Sequence, residues 1–327
     1  MDNTNKSSGA YNNLNNQITS LFQNSRHSVG IKSRYKYLDI ERHFASYLAD
    51  NFKLQKLENV KSKHLISYTK HLQSLNYSPS TIKTCVSGIR YFHSLTGSKN
   101  ELLPNSQLNL QAREPSKYYK SWTYAEYKES LAVCSEASRL DIKQAISLSY
   151  NFGLRLEECA KCRVQDIKLA YMGGRPGGEL WTKGKNGKER LIKVRTPEQV
   201  KALEEALQYA RDNNIPDHCK LISDEKGVQK TKRSIQNFIT ANQHKWIDNT
   251  RTLEQIERSS GAVTNNKACK IRTPHLSFHG LRSSYCSNLY EDIYKETGDK
   301  VKSRLYCSSQ LGHGRESVVF CYLESGK

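Results

Sequence analysis

The 327-residue sequence has no apolar run approaching the roughly 18 residues of a membrane-spanning helix, no secretory leader pattern and no lipidation motif, and its mean hydropathy is −0.74. No membrane partner is expected. Acidic residues are scarce: 32 Asp and Glu face 51 Lys and Arg, a formal charge of +19 with a pI near 9.5. A field of that sign, spread over the whole length, favours a polyanion, and with membranes set aside the expected partner is nucleic acid. The nine cysteines are odd in number and lack the regular spacing of a disulfide framework, so reduced thiols in a cytoplasmic setting are expected. Cys159 and Cys162 form a C-x-x-C without a second pair to complete a zinc site, and they read as two helix cysteines. A carboxylate cluster of the kind that holds two catalytic metals is also missing.

What is present divides the chain. Residues 1–28, rich in Asn, Ser and Gln, read as a flexible polar tail. Over 29–103, apolar residues at helical spacing (Ile82, Val86, Ile89, Phe92) predict helices at 35–52, 60–75 and 78–95. Ser78-Pro79 supplies a helix start, with Pro in the first turn where its missing N–H is not needed. Lys83 and Arg90 lie off the apolar stripe and are candidate DNA contacts, with Tyr77, Tyr91 and His93 near them. The polar stretch 104–116, with two prolines, reads as a linker. A second domain over 117–327 is predicted to be helical at 123–137, 140–151, 156–163, 197–212 and 230–246. It also carries one small antiparallel pair of strands, 179–182 and 190–194, around an Asn186-Gly187 turn. The polar segment 250–273 shows no period and reads as an insertion. The fold class is therefore mainly α with a small antiparallel β-sheet.

Three short strings in the second domain concentrate groups suited to a phosphate. His279 and Arg282, three apart, share one face of a helix. Leu311-Gly312-His313 follows a predicted helix at 301–310, and its Gly suits the positive φ of a helix stop. Tyr322 comes nine residues after His313, in the apolar run 318–323, and is a candidate nucleophile. A planar, permanently charged guanidinium donates two parallel hydrogen bonds to phosphate oxygens, so fixed arginines answer the charge that builds up when a phosphodiester is attacked.

The order H-x-L-R, L-G-H and then Tyr resembles the signature of the tyrosine recombinase (phage integrase) family. Gly153-Leu154-Arg155-Leu156-Glu157-Glu158 resembles that family's G-L-R-x-x-E block, and Gly184-Lys185-Asn186-Gly187-Lys188-Glu189-Arg190 its G-K-x-x-K-x-R hairpin. The resemblance implies a helical core-binding domain and an α+β catalytic domain that form a C-shaped clamp on duplex DNA, with catalytic residues Arg155, Lys185, His279, Arg282, His313 and Tyr322. It implies that Tyr322 forms a 3′-phosphotyrosine, that His279 accepts its proton while His313 bonds a phosphate oxygen, and that Lys185 protonates the leaving 5′-oxygen. Lys183 and Lys188 are neighbouring amines that compete for that last assignment, and with Arg190 they are also candidate DNA contacts. Glu158 matches an acidic position that orients its neighbours; a plain helix-surface carboxylate is the other reading.

No metal is expected, because two arginines and a lysine already neutralise the phosphate, and no ATP, because the covalent link conserves the phosphodiester energy. Also implied are a homotetramer on paired recombination sites, accessory directionality factors, a nucleoid-associated location and, from the composition and insertions, a mobile element as source. The short tail leaves little room for an arm-binding domain, and the interval from Arg282 to His313 predicts an extended helix-loop at 290–302. Two other functions use a similar sequence: a type IB topoisomerase, and a DNA-binding regulator that keeps the fold without the chemistry.

Overall fold

Apolar residues three and four apart draw the amino-terminal helices together. The computed structural model describes residues 9–25, 29–112, 121–184, 187–223, 225–248 and 276–323, in two units, Met1–Pro115 and Ser116–Lys327. In the first unit, α1 (Gly9–Asn24), α2 (Ile31–Phe52), α3 (Ser62–Ser74) and α4 (Pro79–Leu95) surround a core that includes Leu14, Phe44, Leu48, Leu65, Val86 and Phe92. Ser78 caps α4 by accepting the Thr81 N–H at 3.2 Å, with Pro79 in the first turn as expected. Gly88 lets α2 and α4 touch: a Cβ there would stand 3.1 Å from both Ile40 and Tyr37.

Two sequence expectations for this unit are corrected. Residues 9–24 of the supposed tail are helical, because Ala10, Leu14 and Ile18 recur every fourth residue and seal one side of the core. The first half of the supposed linker is also part of the unit. Leu108 is buried in its core, and Arg90 donates to the Leu103 carbonyl and, at 2.8 Å, to Asn105 Oδ1. Residues 113–120, and the polar segment 250–273, lie outside the described residues.

In the second unit, α5 (Tyr124–Glu136) and α6 (Leu140–Phe152) lead into α7 (Leu156–Lys161) and α8 (Val164–Tyr171). The antiparallel pair β1 (Glu179–Lys183) and β2 (Glu189–Lys193) follows, in the register Trp181↔Leu191 and Lys183↔Glu189. Then come α9 (Pro197–Asp212), α10 (Val228–Asn242), α11 (Phe278–Thr297), α12 (Lys300–Gln310) and a 3-10 helix, Glu316–Cys321. The central helix is α6, with Ile142, Ala145, Ile146, Leu148 and Phe152 all buried between α5, α9 and α11. Cys159 and Cys162 sit in this core as helix-end thiols, both pushed up by burial, Cys162 to about 12.

The long interval after Arg282, expected as a helix-loop, is two abutting helices with only Gly298 and Asp299 between them. Gly298, at φ 65°, stops α11, and the Asp299 carboxylate accepts the Val301 and Lys302 N–H groups to start α12 at once. Among the described residues no helix is long and apolar enough to cross a membrane.

Candidate active site

Gly153 ends α6 at φ 60° and turns the chain so sharply that a Cβ there would stand 2.4 Å from the Tyr285 ring. Two residues later Arg155 precedes the first turn of α7, and Glu158 folds back from that turn to accept its backbone N–H at 2.8 Å and its Nη1 at 2.7 Å. Arg282, on the second turn of α11, is fully buried. Its Nη1 donates to the Gly153 carbonyl and its Nη2 to the Leu311 carbonyl. The start of α11 is itself fixed by Trp122, whose indole N–H donates to Ser277 O at 3.0 Å and whose backbone exchanges bonds with the Ser284 hydroxyl.

Gly312 takes the positive φ, 70°, expected of a helix stop, and the turn delivers His313. Ser308 secures that turn by donating its hydroxyl to the His313 and Arg315 carbonyls. The His313 Nε2 then lies 3.4 Å from Arg155 Nη2, 3.3 Å from Arg282 Nη2 and 3.3 Å from the Tyr322 hydroxyl. Burial, followed by the charges of Arg282, Arg155 and Arg190, lowers His313 to about 4, so its ring is neutral at pH 7. Tyr322 is held by Val319 and Leu323, both buried, and its ring lies 5.6 Å from the exposed His279 ring and 5.6 Å from the Arg282 guanidinium carbon.

Four motifs separated by up to 167 positions thus meet, and Arg155, Arg282, His279, His313 and Tyr322 form one cluster. Lys185 lies outside the described residues. Gly184 beside it sits against the cluster: a Cβ there would be 2.9 Å from Glu158 Oε1 and 3.5 Å from Arg155 Nη1. Lys183 is exposed and paired with Glu189 at 3.1 Å, and Lys188 is exposed at the hairpin.

Arg190 is a different case from the DNA contact expected of it. Its side chain is 8% exposed, and it grips the Glu158 carboxylate with two bonds, Nη1 to Oε1 at 2.9 Å and Nη2 to Oε2 at 2.7 Å. Arg90 is likewise committed to Leu103 and Asn105, as described above, whereas Lys83 lines a shallow concavity of about 380 Å³ with Tyr37, Ser80, Thr84 and Ser87. Glu158 is no surface carboxylate: burial pushes it up, but the bonds and charge of Arg190, then those of Arg155, outweigh burial and hold it at about 2. No sequence signal separated Arg190 from a phosphate-binding arginine, since its acidic partner lies 32 residues away. A separate cavity of about 610 Å³ between α5, α6, α9 and α11 contains none of the candidate residues.

The family model described as "Phage integrase family" matches residues 120–296, more than half of the chain. The chain is 25% identical over 293 residues to tyrosine recombinase XerD of Rickettsia bellii, covering 84% of this chain and 88% of that protein. To tyrosine recombinase XerC of Oceanobacillus iheyensis it is 22% identical over 279 residues, covering 79% and 81%. A lambda integrase tetramer bound to a Holliday junction has a similar fold, with a TM-score of 0.56 at 12% identity, covering 96% of this chain and 78% of that one. The chain belongs to the phage integrase family and is a tyrosine recombinase, a DNA strand-transfer enzyme.

Proposed function

We propose that this tyrosine recombinase cuts and rejoins two duplex DNA sites through a 3′-phosphotyrosine on Tyr322, exchanging strands by way of a Holliday junction within a homotetramer. The observation that carries this reading is the convergence of Arg155, Arg282 and the Tyr322 hydroxyl on His313 Nε2, since DNA binding alone has no use for a phenol among guanidiniums. The phenolic oxygen attacks phosphorus as the bond to the 5′-oxygen breaks. The two guanidiniums bind the non-bridging oxygens, where charge accumulates in the transition state. Lys185 gives its proton to the departing 5′-oxygen. A 5′-hydroxyl from the partner duplex reverses these steps, so the phosphodiester is re-formed without an external energy source.

For the phenol's proton, the geometry favours His313 over the His279 suggested by the sequence pattern. Two guanidinium nitrogens, which can only donate, face His313 Nε2, so this nitrogen carries a lone pair that can also accept from the Tyr322 hydroxyl, and the proton resides on Nδ1. A phosphate entering the cluster brings negative charge that raises the ring from about 4 toward the range useful for a base. His279, exposed one turn before Arg282, is then the one to bond a phosphate oxygen.

We read a mobile element as the source, supported by the polar insertion at 250–273; sequencing the flanking DNA for terminal repeats tests this. The chemistry is tested on a nicked suicide duplex. The unmutated enzyme is expected to form a covalent protein–DNA adduct, and Tyr322→Phe to form none while binding the same duplex. Binding without an adduct in the unmutated enzyme would leave a DNA-binding regulator, and relaxation of supercoils without joining of two duplexes would leave a topoisomerase.

A further inference from the structure

Three guanidiniums and one carboxylate are packed together behind the Tyr322 hydroxyl. Arg155 and Arg282 reach His313, but Arg190 does not: all three of its nitrogens are engaged within the protein, two on Glu158 and Nε on the Gln310 carbonyl at 3.0 Å. Gln310 in turn accepts the Lys193 N–H at 2.9 Å, so the end of α12 is tied to β2 from both sides of one residue. The next turn is shaped around the same side chain. A Cβ on Gly312 would stand 3.0 Å from Arg190 Cδ, at a φ that already excludes most residues.

We infer that Arg190 is a positioning residue: it takes up most of the Glu158 charge so that less of the charge of Arg155 and Arg282 is drawn away from the scissile phosphate, and it ties the β1–β2 pair to the turn that carries His313. This rests on the proposed attack by Tyr322.

The argument is one of competition for a buried carboxylate. Glu158 touches Arg155 Nη1 at 2.7 Å and lies 3.9 Å from Arg282 Nη1. With Arg190 in place, both carboxylate oxygens have a bond from a guanidinium that does not reach His313. Without it, the nearest compensating charges are the two arginines proposed to bind phosphate, and an uncompensated buried carboxylate is unfavourable enough to recruit them. Each would then meet the phosphate already partly neutralised. The cluster's excess over Glu158 would fall from two positive charges to one.

The test uses Arg190→Met, Glu158→Gln and the double variant in the full chain, with three readings: thermal unfolding, duplex affinity, and the rate of adduct formation on the nicked substrate. Arg190→Met is expected to bind duplex within about threefold of the unmutated enzyme and to form adduct at least ~100-fold more slowly, the range seen when a charge-stabilising donor is lost. The double variant removes the carboxylate's charge together with its partner, and is expected to recover at least about tenfold of that rate. Recovery of this kind is not expected if Arg190 only fills space. Adduct formation by Arg190→Met at the unmutated rate would overturn the inference, as would a double variant no faster than the single one. If Arg190→Met does not fold, the double variant decides: it should fold and form adduct, and an unfolded or inactive double variant would overturn the inference. No adduct from the unmutated enzyme would instead remove the proposed chemistry, and this inference with it.

Discussion

Replacing Glu158 by Gln keeps the shape of the side chain and removes its charge, which makes it a direct measure of how strongly the cationic cluster leans on one carboxylate. Four hydrogen bonds reach that group, two from Arg190 and two from Arg155. Its side chain is 2% exposed, so solvent screens little of the interaction. The folded-state pKa is about 2 against an ordinary 4.5, and at about 1.4 kcal/mol per pH unit the difference corresponds to about 3 kcal/mol. Because the folded value is depressed, the contribution is fully present above pH 4.5 and is lost as pH falls toward 2. At pH 3 about 1.4 kcal/mol should remain.

The assay is favoured by the chain itself, since Trp122, Trp181 and Trp246, its three tryptophans, all lie in the second unit. Urea titrations followed by tryptophan fluorescence therefore report that unit alone. Glu158→Gln should be less stable by about 3 kcal/mol at pH 7, with the deficit more than halved at pH 3. A deficit that is the same at both pH values, or below about 1 kcal/mol at pH 7, would refute the claim that charge, rather than shape, is what Glu158 supplies.

Gly184→Ala places a Cβ 2.9 Å from Glu158 Oε1 and should cost about 1–3 kcal/mol by overpacking; adduct formation should slow by at least about tenfold with duplex affinity kept, as read on the nicked substrate. Leu14→Ala, at a fully buried position of α1, should destabilise the first unit by about 2–5 kcal/mol, seen by circular dichroism as loss of helix at lower temperature without a change in the tryptophan transition. Arg90 and Lys83 should separate in a salt titration of duplex binding: Lys83→Ala reduces the slope of log affinity against log salt by about 1. Arg90→Ala leaves the slope unchanged and lowers stability.

The candidate cluster was largely legible because each motif is a short string whose residues are positioned close to where they stand. Arg155 is placed by the glycine two positions before it, and His313 by the glycine just before it. The helices were legible for a similar reason, as the spacing of Ile82, Val86, Ile89 and Phe92 turns all four into the core. What was not legible depended on partners far along the chain. Arg190 has the composition and context of a phosphate ligand, and only its meeting with Glu158 makes it a clamp. The helix α1 was hidden by its Asn and Gln residues, although Leu14 and Ile18 already marked a face; what they pack against, Phe44 and Leu48 among others, lies in a later helix. The stop at Gly298 followed at once by the Asp299 cap was a readable signal for two abutting helices.

The buried position of Arg282 has a consequence for descent. Its guanidinium is hydrogen-bonded to the carbonyls that end two separate helices, at Gly153 and at Leu311, so it works as a keystone before any DNA arrives. A lineage that gave up cutting could shed Tyr322, the proposed nucleophile, which stands half-exposed at the rim, with little harm to folding. Losing Arg282 would open the arch itself. In a relative, this arginine therefore testifies to an intact scaffold, and the tyrosine to the proposed blade.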